Sequence, residues 1–410
     1  MTKKALEGIK IIEVGHFISG PYCTKLMADL GAEVIKIEDP VAGVDEARIH
    51  GPFPGDVPHP EKSGLFLWLN ANKKGITLNL GSTQGREVLE RLLKEADILV
   101  RNAPPGKSCA WDMTPDFETL KQINPKLIVT SISPFGQSGP YRDYKAYELN
   151  VSAASGVSVA SGDPEREPLV LPFFQTYYQA GAAAAGATLT AWLALENTDC
   201  GQHIEISEVE VSANNLVGQH LTTFIYRGLT GIRRGHHGGY FNYPCTCLPC
   251  KDGFVCLVAP QVAQWKRFIE LMGTPEWSKQ PRYRDRREMA ETYPDEVDAL
   301  LIAWLEKYTK EEIFAMCMER KVPFSPVRTI EEVAIDPQLR ARGFWTELDH
   351  SEVGRLRYPG SGYELSKTPA ALEHPAPILG EHNREILVDR LGYTKEQVEN
   401  ISKERSHVES

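Results

Sequence analysis

The first third of the chain alternates short apolar runs with amphipathic stretches. Residues 9–14 (Ile-Lys-Ile-Ile-Glu-Val) form a compact β-type run. Gly20-Pro21 opens a stretch in which Leu26, Met27 and Leu30 recur at helical spacing, and Gly31 marks its end. Further strands are predicted at 33–37, 76–80, 98–100 and 127–132. A helix following the second of these places Val88, Leu89, Leu92 and Leu93 on one face. Alternation of strand and helix implies a parallel sheet covered by helices, because parallel neighbours need a long crossover and a helix supplies it.

The pattern then changes. Residues 180–195 are rich in alanine and hold Gly181 and Gly186, which predicts a closely packed, buried helix; the stretch is too short and too weakly apolar to span a bilayer. Residues 203–207 (His-Ile-Glu-Ile-Ser) read as a strand and 209–227 as a long helix. Residues 228–243, rich in Gly, Arg and His, read as a linker. Lys251-Asp252-Gly253 is a turn between strands of a smaller α+β region that ends near Val322-Pro323, and strand signals return after Asp336-Pro337 before a polar terminal helix. The expected organisation is a large domain begun by 1–228, a small domain with its linkers at 229–330, and a return to the large domain at 331–410.

Composition narrows the function classes. A chain of 410 residues is long enough for two domains, and its net charge of −10 argues against nucleic acid or an anionic membrane as partner. The first residues carry charge but no apolar core of a signal peptide, and eight cysteines without secretory context read as reduced thiols, so a cytoplasmic protein is expected. The first β–α turn, from Val14 to Pro21, fits neither GxGxxG nor GxxxxGK, so the common phosphate cradles are not expected. Cys245, Cys247, Cys250 and Cys256 are not spaced as paired CxxC knuckles; they read as buried or half-buried thiols, and no metal is predicted. His236-His237 reads as part of a flexible glycine loop. Arg233-Arg234 reads as an exposed pair, with an acidic partner or a substrate carboxylate as the alternative.

Six segments in register resemble class III CoA-transferases, the CaiB/BaiF-type superfamily of formyl-CoA transferase and α-methylacyl-CoA racemase. They are Gly20-Pro21-Tyr22-Cys23 with residues 28–38, Asn70-Ala71-Asn72-Lys73-Lys74, Ile123-Asn124-Pro125, the run from Ser133 to Pro140, Gly201-Gln202-His203-Ile204, and Pro377-Ile378-Leu379-Gly380-Glu381-His382. The resemblance implies an α/β fold: a Rossmann-like large domain built from both chain ends, plus a small inserted α+β domain. It implies two chains interlocked like links, with each active site between the large domain of one and the small domain of the other. The implied reaction moves CoA between acyl groups. An Asp carboxylate attacks the thioester, giving a mixed anhydride and then an enzyme–CoA thioester. Racemase relatives pair that Asp with a His as opposed bases.

Against that pattern the chain departs. Counting back from Gly181, and separately from Gly201-Gln202, places Tyr177 at the nucleophile position; no Asp or Glu occurs from Pro168 to Leu195. A phenol with an ordinary pKa of about 10 is a poor substitute, because its ester would donate poorly to a thiolate. The racemase His position holds Tyr147. Glu148 follows it and stands open as an acid–base group or a structural carboxylate. Where the family often has phosphate-binding Arg residues, this chain has Asp39 and Ala110, with Lys107 the nearest cation. His16, Leu78, Asn102 and Lys145 do occupy positions resembling the nucleotide pocket, but with Asp39 and Ala110 in place of cations coenzyme A binding to this chain is expected to be weak or absent.

Three readings follow. The chain is the Asp-lacking subunit of a heteromeric CoA-transferase that uses succinyl-CoA and an organic acid such as an aromatic succinate, with a homologous subunit carrying the Asp. Alternatively, it is an active homodimer using an atypical residue such as Glu148. As a third reading, it is a binding or structural paralogue without CoA chemistry.

Overall fold

The computed structural model describes residues 4–103, 115–230, 233–238 and 242–403. Contacts divide the chain into two compact units. One comprises Met1–Val157, Val170–Tyr226 and Arg340–Ser410; the other comprises Ser158–Leu169 and Arg227–Leu339. Among the described residues no helix is long and apolar enough to cross a membrane.

The first unit is built on a six-stranded sheet: β1 (Lys10–Val14), β2 (Glu33–Glu38), β3 (Lys74–Thr77), β4 (Ile98–Arg101), β5 (Ile128–Ser133) and β6 (His203–Ser207). All neighbours are parallel, in the order β3-β2-β1-β4-β5-β6. The direction of strand addition therefore reverses between β1 and β4, which opens a crevice at their C-terminal ends. Alternation along β1 sends Ile12 and Val14 to one core and Ile11 to the other. The first core is closed by Val88, Leu89, Leu92 and Leu93 of the helix Thr83–Glu95, whose Ser82 cap accepts the Gly85 N–H at 2.9 Å. Ile386, Leu387 and Ile401, from the chain's far end, pack into the same core. The strand predicted at 76–80 pairs only over Lys74–Thr77; beyond it the Leu80 N–H is taken by the Asp39 carboxylate, 2.9 Å away.

The opposite core holds Cys23, Met27, Ala180, Ala184, Ala185 and Ala191. Here the helix Gln175–Thr198 lies against the helix Ser19–Ala28, and Gly181 makes the approach possible. A Cβ at that position would sit 2.7 Å from the Ser19 carbonyl oxygen. Burial along this helix is one-sided in the single chain. Ala180, Gly181, Ala184, Ala185 and Thr188 are buried, whereas Ala182, Gly186, Thr190 and Leu193 are exposed, in contrast to the all-round burial expected from composition.

The second unit carries a three-stranded antiparallel sheet of β7 (Cys245–Cys250), β8 (Gly253–Val258) and β9 (Phe324–Pro326), with the turn between β7 and β8 at the predicted place. Trp265, Phe268, Leu301, Leu305, Ile313 and Phe324 form its core. Arg233, expected as half of an exposed pair, donates to the backbone carbonyls of Asp163 and Arg166, each at 2.9 Å. Those bonds tie the linker to Ser158–Leu169, a stretch lying within the 1–228 read from sequence as large domain.

A buried group of charges lies under the β1–α turn of the first unit. Glu13 is fully buried and receives the Lys36 and Lys73 ammoniums at 2.8 Å each, while Lys36 also meets Asp45 at 2.7 Å and the Gly15 carbonyl at 2.7 Å. Burial alone would raise the Glu13 carboxyl, but the two ammoniums overcome it and hold the group below its ordinary value; Lys36 does the same for Asp45. Lys73, desolvated and sharing Glu13 with another cation, is lowered to about 8. The stability supplied by Glu13 and Asp45 is fully present above their unfolded values of 4.5 and 3.8 and is lost as pH falls through the lower folded ones. Glu13→Gln leaves two buried ammoniums without their shared counter-charge and should cost about 3–5 kcal/mol at neutral pH. Denaturant unfolding across pH should show that loss, together with a flatter acid limb in the variant.

Candidate active site

The crevice between β1 and β4 is organised by Asn102, which follows β4. Its Oδ1 accepts the His16 backbone N–H at 2.8 Å, and its Nδ2 donates to the His16 carbonyl at 2.7 Å and to Ser19 Oγ at 3.1 Å. Gly20 admits this clamp, since a Cβ there would come within 3.0 Å of the Asn102 side chain. His16 and Asn102, both singled out from sequence, are thus joined at the switch point where ligands of such sheets bind. Burial holds the His16 imidazole below its ordinary range; Asp45 opposes that and Lys36 adds to it.

The other predicted residues are placed differently. The Leu78 side chain lies wholly in the core, and its N–H is bonded to the Glu38 carbonyl at 3.0 Å. Lys145 is exposed in the loop before the helix Glu148–Ala154, and no hydrogen bond among the described residues ties it to His16, Leu78 or Asn102. Glu38 is held by the buried Arg48, whose Nε and Nη2 each donate to it at 2.8 Å. Asp39 is buried and turned onto backbone: it accepts from Val41 N (2.9 Å), Ala42 N (3.1 Å) and Leu80 N (2.9 Å). This position carries a fixed anion with its acceptors committed, the reverse of a phosphate-binding cation. Ala110 and Lys107 lie outside the described residues.

Tyr177 sits in the first turn of the helix Gln175–Thr198, 9% exposed. Two consecutive residues before that helix, Phe173 and Phe174, have φ of 58° and 57°, a left-handed conformation that costs bulky side chains about 1–2 kcal/mol each. Phe17, at φ 61°, packs edge-on to Phe174 (5.0 Å) and to Tyr177 (5.9 Å). Burial pushes the Tyr177 phenol far up, and the carboxylates of Glu208, Glu148 and Glu46 push it further, so it stays protonated at neutral pH. Glu148 is tethered: its carboxylate accepts the Thr176 N–H at 3.3 Å and the Thr176 hydroxyl, binding the first turn of the helix that carries Tyr177. Tyr147, at the racemase base position, is 70% exposed. Phe17, Glu46, His50, Glu148, Phe174 and Tyr177 line part of a cleft of about 350 Å³.

One carboxyl group in this neighbourhood was not anticipated. Glu208 follows β6 and opens the helix Glu208–Arg227; it is 4% exposed and hydrogen-bonded to Ser19. Burial, with Glu148 nearby, raises it to about 7. Asn102, Ser19 and Glu208 therefore form one polar chain from the switch point to the wall behind Tyr177. The sequence signal was available, since an acid just past a parallel strand stands at the ligand end of the sheet. What this arrangement offers chemically is an acid–base group shielded from the cleft, a neutral phenol and a tethered carboxylate. It does not offer an exposed carboxylate nucleophile at position 177.

Residues 6–383 match the model of CoA-transferase family III. The chain belongs to that family. It is 28% identical to a succinate–glutarate CoA-transferase of Agrobacterium fabrum, covering 94% of this chain and 96% of that one. It is 32% identical to the BbsE subunit of succinyl-CoA:(R)-benzylsuccinate CoA-transferase of Thauera aromatica, covering 93% of each. Among solved structures, a CaiB/BaiF family protein from Brucella suis superposes with a TM-score of 0.84 at 26% identity, covering 95% of this family III chain and all (100%) of that one. CoA is the substrate that gives the family its name.

Glu208 gives this family III protein a measurable signature. Its carboxyl rises from 4.5 to about 7 on folding, so the folded chain binds the extra proton between those values and loses stability as pH climbs through them. Glu208→Gln, which keeps the shape and a hydrogen-bonding head, should raise the thermal midpoint by about 2–5 °C at pH 8 and by little at pH 5. Equal effects at both pH values would show that Glu208 does not titrate in this way.

Proposed function

We propose that this chain is the Asp-lacking subunit of a heteromeric class III CoA-transferase, completing a site whose nucleophile belongs to a homologous partner. The observation that carries the reading is the one at position 177, where a buried, fully protonated tyrosine replaces a carboxylate and no acid lies between Pro168 and Leu195. The reaction would move CoA from succinyl-CoA to an organic acid, and the benzylsuccinate relative suggests an aromatic succinate as acceptor. An interlocked pair of chains suits the exposed small-residue face of the helix Gln175–Thr198 (Ala182, Gly186, Thr190 and Leu193) and the exposed Phe224, Ile225 and Tyr226 at the end of the next helix. The alternative, an active chain using Glu148, is supported less well, because that carboxylate is engaged by Thr176. A paralogue without CoA chemistry is the third reading; nothing at the site favours it over the first.

Purified alone, the chain should transfer no CoA from succinyl-CoA to carboxylate acceptors, and hydroxylamine or borohydride should trap no acyl-enzyme. Reconstituted with a subunit bearing the Asp, the complex should turn over; Tyr177→Phe should leave that rate within about twofold, and loss of the partner's Asp should abolish it. Turnover by the isolated chain that Glu148→Gln abolishes would establish the active-homodimer reading instead.

CoA binding provides a separate check. With Asp39 committed to three backbone amides where a phosphate-binding cation is expected, calorimetric titration of the isolated chain should give no affinity tighter than about 0.1 mM. Micromolar binding would count against the proposed assignment of this pocket.

A further inference from the structure

We propose that His236, His237, Asp295 and Asp298 form a binding site for a divalent transition-metal ion, zinc by preference. The site lies within the second unit and is independent of the transferase reading. The sequence placed the two histidines in a glycine loop and left the acids, some sixty residues on, unremarked; the fold brings them together. One ligand atom from each of the four lies within 4.8 Å of all the others.

The geometry is that of a coordination shell. Asp295 and Asp298 stand three residues apart near the start of the helix Pro294–Leu305, and so share one of its faces. Asp298 Oδ2 is 2.9 Å from His236 Nε2 and 3.3 Å from His237 Nε2, while Asp295 Oδ1 is 3.5 Å from His237 Nε2. A tetrahedral zinc ion with bonds of about 2.0–2.1 Å requires neighbouring donors about 3.3 Å apart. Histidine–carboxylate ion pairing alone leaves a remainder: His237 Nε2 is buried and makes no hydrogen bond. An ion at the centre of the four donors would engage that nitrogen.

The surroundings support the same assignment. Tyr243 is 1% exposed and its hydroxyl donates to Asp298 Oδ1 at 2.5 Å, which fixes the carboxylate with its other oxygen toward the histidines. His237 is held from behind by pairing with Thr246, and the His236 carbonyl accepts the Cys247 N–H at 3.3 Å. An adjoining cleft of about 490 Å³ carries Asp163, Glu165, Glu291 and Asp295 against Arg234, an acidic approach for a cation. Two imidazoles with two carboxylates suit zinc better than calcium or magnesium, and four protein donors make a structural site that fastens the linker to the helix. The cysteines do not compete as a set: among the described residues, no three of them gather with other donors.

The test uses the full chain, stripped with a chelator and titrated with zinc against a chromophoric competitor. One equivalent should bind, the thermal midpoint should rise, and cobalt in place of zinc should give the intense visible bands of a tetrahedral site. Asp298→Asn should weaken binding at least about tenfold. Because that change also disturbs Tyr243, Asp295→Asn is the decisive variant; its side chain is 90% exposed, so the fold tolerates the change while affinity falls at least about tenfold. Cys247→Ser should leave binding intact. Absence of stoichiometric uptake, or uptake unchanged in Asp295→Asn, would overturn the proposal.

Discussion

The first unit depends on one buried electrostatic arrangement, the shared grip of Lys36 and Lys73 on Glu13. Three chain segments meet there: β1, β2 and the turn into β3. None of these charges is tolerable alone at zero exposure, so each segment is held in register by the need of the others. Lys36 reaches beyond the pair to the Gly15 carbonyl and to Asp45, and Asp45 in turn accepts the Phe17 N–H at 2.8 Å. The turn after β1 is thus fixed from below by ions and from the side by Asn102. The crevice at the switch point is rigid because its floor cannot shift without separating buried opposite charges.

On the proposed reading, that rigidity would let a family III chain do without a carboxylate at position 177 and keep its architecture. The supports around position 177 belong to other residues: Glu148 binds Thr176, Phe17 and Phe174 pack the ring, and Glu208 stands behind it. Tyr177 fills the place with an apolar ring and a proton that does not leave. Of the acids around it, Glu148 is bonded to the first turn of the helix and Glu208 is buried against Ser19.

Much of the first unit was legible from sequence because it is written locally. Ile11, Ile12 and Val14 alternate, Val88 to Leu93 recur at helical spacing, and Gly20-Pro21 opens a helix. The missing acid was legible for a similar reason, since an absence across Pro168 to Leu195 requires no folding to detect. What was hidden arises from distance in sequence. Glu148 meets Thr176 twenty-eight residues away, and Glu208 acquires its raised carboxyl only when the fold buries it near Glu148, against the opposing hydrogen bond from Ser19. Asp39 is visible in the sequence as an acid just after the second strand, but its engagement with the Leu80 amide depends on the pairing of β2 with β3. His236 and His237 looked like loop filler until the helix bearing Asp295 and Asp298 came beside them.

Gly181 carries a consequence for how such a protein could be altered. With only 2.7 Å between a would-be Cβ and the Ser19 carbonyl, the helix bearing residue 177 comes closest at this position to the start of the helix that follows His16. The spacing between position 177 and the crevice at the switch point is therefore limited by the hydrogen atom of Gly181 and not by the side chain at 177. Even alanine at 181 would press on the Ser19 carbonyl and lever the seat of residue 177 away from the crevice, so the position that fixes this geometry lies four residues from the one whose side chain lines the cleft.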